Sequence, residues 1–284
     1  MRVRTLAVLF ALTSSALAID DQVSIIPETV VVPSGKLRLK AFLWKPGGAG
    51  PFPAVLFCHG SGGADASHTA GLPMTEAAEK LASVFLKHGY AFFYLCRRGQ
   101  GLSADQGEFM QDVLQREEST KGKEARQHLQ FVLATTDHLD DVMAGLLFLK
   151  RAPAIDARRI AIAGHSFGGQ LALLAAEQDS TVRAAVVFAA AANSWERSRE
   201  LRDRLLTAAD KAKAPIMLIH ATNDYSTVPG YALACELESL HKPHLLKIYP
   251  PVGRTSEAGH NLLYLLIRRW EHDVFEFLDE HVKR

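Results

Sequence analysis

Apolar and polar positions along the chain switch between the two-residue period of strands and the 3.6-residue period of helices. Residues 29–32 and 37–44 carry strand-type side chains on either side of Pro33-Ser34-Gly35, which predicts an antiparallel pair. Residues 54–58 and 91–96 are short unbroken apolar runs, the pattern of strands buried on both faces. Helical spacing over residues 76–88 stops at Gly89. Further strands are predicted at 159–164, 184–189, 216–221 and 245–249, and helices at 167–177, 195–209 and 261–281. Another helix runs to Lys150, capped by Thr136 or Asp137, with Asp140 and Asp141 favouring its positive end. The last helix has apolar residues at 262, 265, 266, 270, 274, 277 and 278, one amphipathic face. Strand and helix in alternation imply an α/β domain, a mostly parallel sheet covered on both faces.

Residues 1–18 break this rhythm. Arg2 and Arg4 precede the apolar run from Leu6 to Leu12, and Ala16-Leu17-Ala18 is a small-x-small cleavage site. That is the pattern of a secretory signal peptide, so residues 19–284 are expected to form a single exported domain, secreted or periplasmic. No later apolar run reaches the roughly 20 residues that span a bilayer. With 48% hydrophobic and 22% charged residues, the 284-residue chain has ordinary globular composition, which excludes a disordered or collagen-like protein. Without Arg2 and Arg4 the balance is 30 basic to 31 acidic residues, so no electrostatic grip on nucleic acid is expected. Cys58, Cys96 and Cys235 are an odd number, which excludes a fully paired framework. Buried free thiols are expected, with one Cys58–Cys96 bridge open if their strands are neighbours.

The chemistry concentrates at Gly164-His165-Ser166-Phe167-Gly168. This G-x-S-x-G lies where a predicted strand becomes a predicted helix, the context in which a serine is exposed on a sharp turn as a nucleophile. A serine hydroxyl needs a base, and the order Ser, acid, His directs the search downstream. Asp224 is the one carboxylate in the loop after residues 216–221; Glu236 and Glu238 fall on the following helix. Of the five histidines beyond Asp224, only His260 falls between the last strand and the last helix. Ser166, Asp224 and His260 are therefore the candidate nucleophile, orienting acid and base. An oxyanion would be met by the backbone N–H of Phe167 and by one from His59-Gly60-Ser61-Gly62-Gly63, with Ser61 the chosen donor. His59 and His165 are read as loop-orienting. Arg98, in Arg97-Arg98-Gly99, is a candidate for a substrate carboxylate or an ion pair. Trp195, with Asn193 and Ser194, is a candidate pocket wall or a core residue. No metal-ligand pattern, phosphate loop or dinucleotide fingerprint accompanies them, so neither metal nor cofactor is expected.

These motifs, together with Arg98-Gly99-Gln100-Gly101-Leu102-Ser103 and Gly259-His260, resemble those of α/β-hydrolases. The similarity is to the dienelactone hydrolase-like and prolyl-oligopeptidase-like branches, over about residues 37–281. It implies an α/β-hydrolase fold with an eight-stranded sheet and cofactor-free esterase, lipase-like or peptidase activity. Ser166 stands where dienelactone hydrolases proper carry cysteine, and the chain has no room for the propeller of prolyl oligopeptidases. The expected activity is hydrolysis of a small-molecule carboxylic ester by a monomer or weak homo-oligomer. A peptidase, an acyltransferase and a non-catalytic binding scaffold are the alternatives. Residues 190–215 hold one predicted helix, too little for a separate lid. Residues 105–136 are charged, partly helical and expected to present a solvated face. A small lid and short soluble esters follow.

Overall fold

Eight strands form one sheet: β1 (Glu28–Ser34), β2 (Leu37–Trp44), β3 (Phe52–Cys58), β4 (Ala91–Cys96), β5 (Ile155–His165), β6 (Ala185–Phe188), β7 (Ile216–Ala221) and β8 (His244–Tyr249). The computed structural model describes residues 26–62 and 65–284, and the leader expected over residues 1–18 lies outside them. The strand order is β1-β2-β4-β3-β5-β6-β7-β8. β1 and β2 are antiparallel, β2 is antiparallel to β4, and every later pair is parallel. This is the eight-stranded, mostly parallel sheet that the sequence implies. The chain steps one way from β3 to β4 and the other way to β5. That reversal opens a crevice at the strands' C-terminal ends, where open α/β sheets bind ligands.

The helices are α1 (Met74–Lys87), α2 (Met110–Lys121), α3 (Lys123–Thr135), α4 (Asp137–Arg151), α5 (Phe167–Gln178), α6 (Arg199–Lys211), α7 (Val228–Ser239), α8 (Ser256–His260), α9 (Leu262–Leu265) and α10 (Ile267–Leu278). Side chains along β3 alternate between two cores: Ala54, Leu56 and Cys58 face α4 and α5, whereas Val55 and Phe57 face α1 and α10. Each fully buried Leu or Phe in these layers contributes about 1.5–3 kcal/mol. α5 is buried around nearly its whole circumference, which explains its apolar sequence. Among the described residues no helix is long and apolar enough to cross a membrane.

Three local expectations are corrected, and the bridge left open between Cys58 and Cys96 is decided. Pro33 and Ser34 belong to β1, and the turn is Gly35-Lys36, with Gly35 at φ 56°. Thr136 precedes α4, but its hydroxyl donates back to the Val132 carbonyl at 2.7 Å instead of capping the new helix. Cys58 and Cys96 lie on neighbouring strands but on opposite faces of the sheet, so they cannot pair and both are free. Burial pushes their thiols up, to about 12 and about 11 respectively. Cys235, in contrast, is exposed. The single helix expected over residues 261–281 is broken into α9, α10 and a final π-helical turn (Asp279–Lys283), with Leu266 at φ −135° and ψ 54°. There the Trp270 indole N–H takes the Leu263 carbonyl at 3.0 Å, the acceptor a continuous helix would give to residue 267. Leu265, expected on the buried face, is 54% exposed as a result.

Candidate active site

Ser166 is the single residue between β5 and α5, at φ 56° and ψ −118°, a left-handed backbone that costs a non-glycine residue energy. The neighbouring glycines make this turn feasible. A Cβ on Gly164 would sit 2.1 Å from the Gly168 carbonyl oxygen, and one on Gly168 would sit 2.0 Å from the Cys58 oxygen. The Ser166 N–H donates to the Phe188 carbonyl at 2.8 Å, which pins the turn to β6.

Asp224 leaves the end of β7, and His260 ends α8. Asn223 ties the two loops together: its amide donates to the Val252 and Thr255 carbonyls at 2.8 Å each, and its oxygen accepts the Val252 N–H at 2.9 Å. Thr255 caps α8 by accepting the Ala258 N–H at 3.1 Å. His260 is then held from three sides. Its Nδ1–H donates to Asp224 Oδ1 at 2.7 Å, its Nε2 faces Ser166 Oγ at 2.9 Å, and its carbonyl accepts the His165 Nε2–H at 2.8 Å. Because the carboxylate only accepts, Nδ1 carries the proton and Nε2 is free to take one from the serine. The structure thus brings together Ser166, His260 and Asp224, and places His165 as the brace of the histidine's backbone.

A residue that sequence reasoning missed completes the acid. His220, within β7 and 2% exposed, donates its Nδ1–H to Asp224 Oδ2 at 2.8 Å. The Tyr225 N–H adds a third donor, to Oδ1 at 2.7 Å. Burial pushes the Asp224 carboxyl up, but the hydrogen bonds from His220 and His260 outweigh it and hold it below the usual carboxylate range. Burial, helped by the neighbouring His260, pushes His165 down to about 3, so it is neutral at physiological pH. The only signal for His220 in the sequence was its four-residue spacing from Asp224 across a strand end.

Arg98 and Trp195, each open between a substrate contact and a structural role, take the structural one. Arg98 is committed to acids of α4: it forks Asp141 at 2.9 and 2.8 Å and meets Asp137 at 2.8 Å. Its backbone N–H also reaches Asp141 at 3.0 Å, and Ser34 donates to the same carboxylate at 2.9 Å. Asp141 is therefore an ion-pair anchor between β1, the Arg98 loop and α4, beyond any effect on the helix dipole. Trp195 is 4% exposed and packs in the core beside α5 and α6, leaving Asn193 and Ser194 to line the cavity.

That cavity, of about 380 Å³, opens over Ser166. Ser61 and Phe167, the expected oxyanion donors, share its wall with the nucleophile. Gln111, Arg126, Gln127, Gln130 and Phe131 of α2 and α3 also line it, with Arg197 and Tyr225, and the Gln111 amide donates to the Ser61 carbonyl at 3.5 Å. The stretch expected to be a solvated face is thus also a cavity wall, with Met110 and Leu114 buried beneath it. An activated serine, an acid-oriented histidine and two candidate backbone donors beside an open cavity are the parts needed for acyl transfer.

The model of the dienelactone hydrolase family matches residues 39–255. The comparison with curated proteins found no match. Among solved structures, the chain is similar to the acylaminoacyl peptidase of Pyrococcus horikoshii, with 19% identity and a TM-score of 0.64 over 92% of this chain. It spans only 42% of that longer protein. Est1E from Butyrivibrio proteoclasticus, solved with ferulic acid bound, gives 19% identity and a TM-score of 0.63, over 90% of this chain and 100% of its own. Dienelactone hydrolase from Anabaena variabilis gives 20% and 0.61, over 91% and 99%. At these identities the likenesses show the shared α/β-hydrolase fold.

Proposed function

The chain belongs to the dienelactone hydrolase family, and from that premise we propose that it is an exported serine hydrolase cleaving carboxylic esters through an acyl-Ser166 intermediate. The observation that carries this reading is the unbroken hydrogen-bond chain from Ser166 through His260 to Asp224, beside an open cavity. Ser166 Oγ attacks the ester carbonyl while His260 Nε2 takes its proton, and Asp224 stabilises the imidazolium. The carbonyl oxygen, now an anion, is met by the Phe167 N–H, at the positive end of α5, and by that of Ser61. His260 passes its proton to the departing alkoxide. A water, deprotonated by the same nitrogen, then attacks the acyl carbon and frees the acid and the serine.

The glutamine and arginine lining favours small polar acyl groups over long alkyl chains. Export rests on residues 1–18. Peptide amides are the second class to test, because part of an acylaminoacyl peptidase shares this fold. Ester, amide and peptide substrates run beside a Ser166→Ala control, with fluorophosphonate labelling, decide between these readings. Ester turnover and labelling lost together in the variant are expected. A wild-type protein that neither labels nor turns over any ester would sink the proposal.

A further inference from the structure

Arg97, the residue after β4, is completely buried. Among the described residues no carboxylate stands within ion-pair distance of it; Asp141 acts only through space and is already forked by Arg98. A charge hidden from water without a paired acid costs several kcal/mol. Burial brings Arg97 down to about 10, which leaves it charged at neutral pH. The guanidinium meets carbonyl oxygens instead. Its Nη1 donates to His59 at 2.6 Å and its Nη2 to Gly60 at 2.7 Å. Nη2 also approaches Gln100 Oε1 at 3.4 Å, and the Gln100 amide donates to the Ser61 carbonyl at 3.1 Å. The Arg97 backbone N–H donates to His59 Nε2 at 3.3 Å, so Nδ1 carries the ring proton and donates to the Gly60 carbonyl at 2.8 Å. Three successive carbonyls, of residues 59, 60 and 61, are thereby held by one buried cluster.

A trans peptide is planar, so its N–H points away from its own C=O. With the Gly60 carbonyl fixed on Arg97, the Ser61 N–H of the same peptide unit is turned the other way. A Cβ on Gly60 would lie 3.7 Å from Ser166 Cβ, which places this peptide directly beside the nucleophile. Ser61 lines the cavity with Ser166, and the guanidinium carbon lies 5.4 Å from the centre of the Phe167 ring. We infer that Arg97 is a positioning residue for the oxyanion site: it sets the direction of the Gly60–Ser61 peptide and polarises it. A cation on the oxygen of a peptide makes its N–H a stronger donor, and hydrogen bonds in such a chain strengthen one another. The inference rests on the serine hydrolase reading, since it concerns the charge that forms on the ester oxygen.

The test uses Arg97→Met and Arg97→Lys in the full chain, with sites counted by fluorophosphonate labelling taken to completion. Values of kcat and KM per labelled site are compared with inhibition by a trifluoromethyl ketone, which forms a tetrahedral adduct. Losing one oxyanion donor costs roughly 10²–10³ in kcat, so a residue acting through that donor should cost about 10–10². The methionine variant is expected to lose that much kcat with KM little changed, and to lose affinity for the ketone by the same factor as kcat/KM. The lysine variant, with the charge but not the fork, should fall between it and the parent. A purely structural role would lower the number of labelled sites and leave kcat per site and ketone affinity intact, which overturns the proposal. Should the methionine variant yield no sites, the lysine variant carries the test: kcat per site and ketone affinity equal to the parent's there overturn the proposal as well. A parent protein without Ser166-dependent turnover is instead a failure of the hydrolase reading.

Discussion

On the floor of the cavity every working group is held by several partners, whereas the half-buried side chains of the α2–α3 roof have few. Asp224 accepts from His260, His220 and Tyr225, and the His260 ring is bonded at both nitrogens. Across the cavity, Arg126 has an ion pair with the partly exposed Glu118 at 3.1 Å, and Arg197 is exposed. Groups with many constraints keep their geometry, which the proposed chemistry needs to within about half an ångström. Groups with few constraints can change rotamer, which suits a surface that selects among substrates. In the proposed reading, chemistry and selection are thus carried by different elements: β5, β7 and α8 below, α2 and α3 above.

The sharpest way to break this contrast is to cut the floor. Ser166→Ala or His260→Ala should lower kcat by 10⁴ or more, and the double variant should be little worse, because the two act as one unit. Asp224→Asn should cost roughly 10⁴ by favouring the wrong histidine tautomer. Gln127→Leu, on the roof, should change kcat/KM with a short ester by less than about tenfold. Steady-state kinetics check all five, and a Ser166→Ala enzyme within tenfold of the parent would end the assignment.

A second contrast is in acid. His165 is buried and pushed down to about 3, and burial holds His59 and His138 well below the histidine range. The unfolded chain takes protons at these sites near pH 6.5 while the folded chain does not. Their contribution is therefore complete above pH 6.5 and is lost as pH falls toward the folded values. For His165 the loss is about 1.4 kcal/mol per pH unit, or roughly 4 kcal/mol by pH 3.5. Asp224, held low, loses its contribution in the same direction, at lower pH. Urea unfolding between pH 7 and 4 should show this slope, and His165→Gln should flatten it. A parent profile flat over that range would contradict the buried neutral histidines.

Most of the sheet was legible because buried parallel strands read as bare apolar runs; 91–96 and 216–221 coincide with β4 and β7. Ser166, Asp224 and His260 could be chosen because strand ends and chain order leave few candidates. His220 was hidden by its surroundings: one histidine inside an apolar strand reads as core, and its acid lies in the next loop. Arg97 and Arg98 look alike in sequence, yet one turns inward to carbonyls and the other outward to Asp141 and Asp137. Which way each faces depends on partners distant in sequence, the carbonyls of residues 59 and 60 and the acids of α4. The roof was read as solvated because the charges from Arg116 to Arg126 mask the apolar underside at Met110 and Leu114. At the break at Leu266 a side-chain bond from Trp270 takes the Leu263 carbonyl, to which hydrophobic periodicity is blind.

Within the floor, His220 offers a smaller effect that sharpens the contrast. His220→Leu removes one donor from Asp224 and should lower kcat about 10–100-fold with KM little changed. Without that donor the Asp224 carboxyl is held less far below its usual range, so the acid limb of the rate profile should move to higher pH. His220→Asn, whose amide can replace the Nδ1–H, should recover most of the loss. A leucine variant with lower thermal stability but an unmoved pH profile would reduce His220 to packing.

The smallest effects should come from the roof and appear as selectivity. Each further CH₂ of an acyl chain adds up to about 0.8 kcal/mol of binding, close to fourfold, only while apolar surface remains to receive it. The 380 Å³ cavity presents Gln111, Gln127 and Gln130 where a long chain would run, and these amides must shed water to meet it. In a series of p-nitrophenyl esters below the micelle threshold, kcat/KM should be highest between acetate and hexanoate and fall beyond octanoate. Gln127→Leu with Gln130→Leu should raise the ratio of octanoate to butyrate several-fold, because it offers apolar wall where amide stood. Rates that keep rising to palmitate, or that jump at an oil–water interface, would show α2 and α3 opening as an apolar lid, and the division between a rigid floor and a merely selective roof would no longer hold.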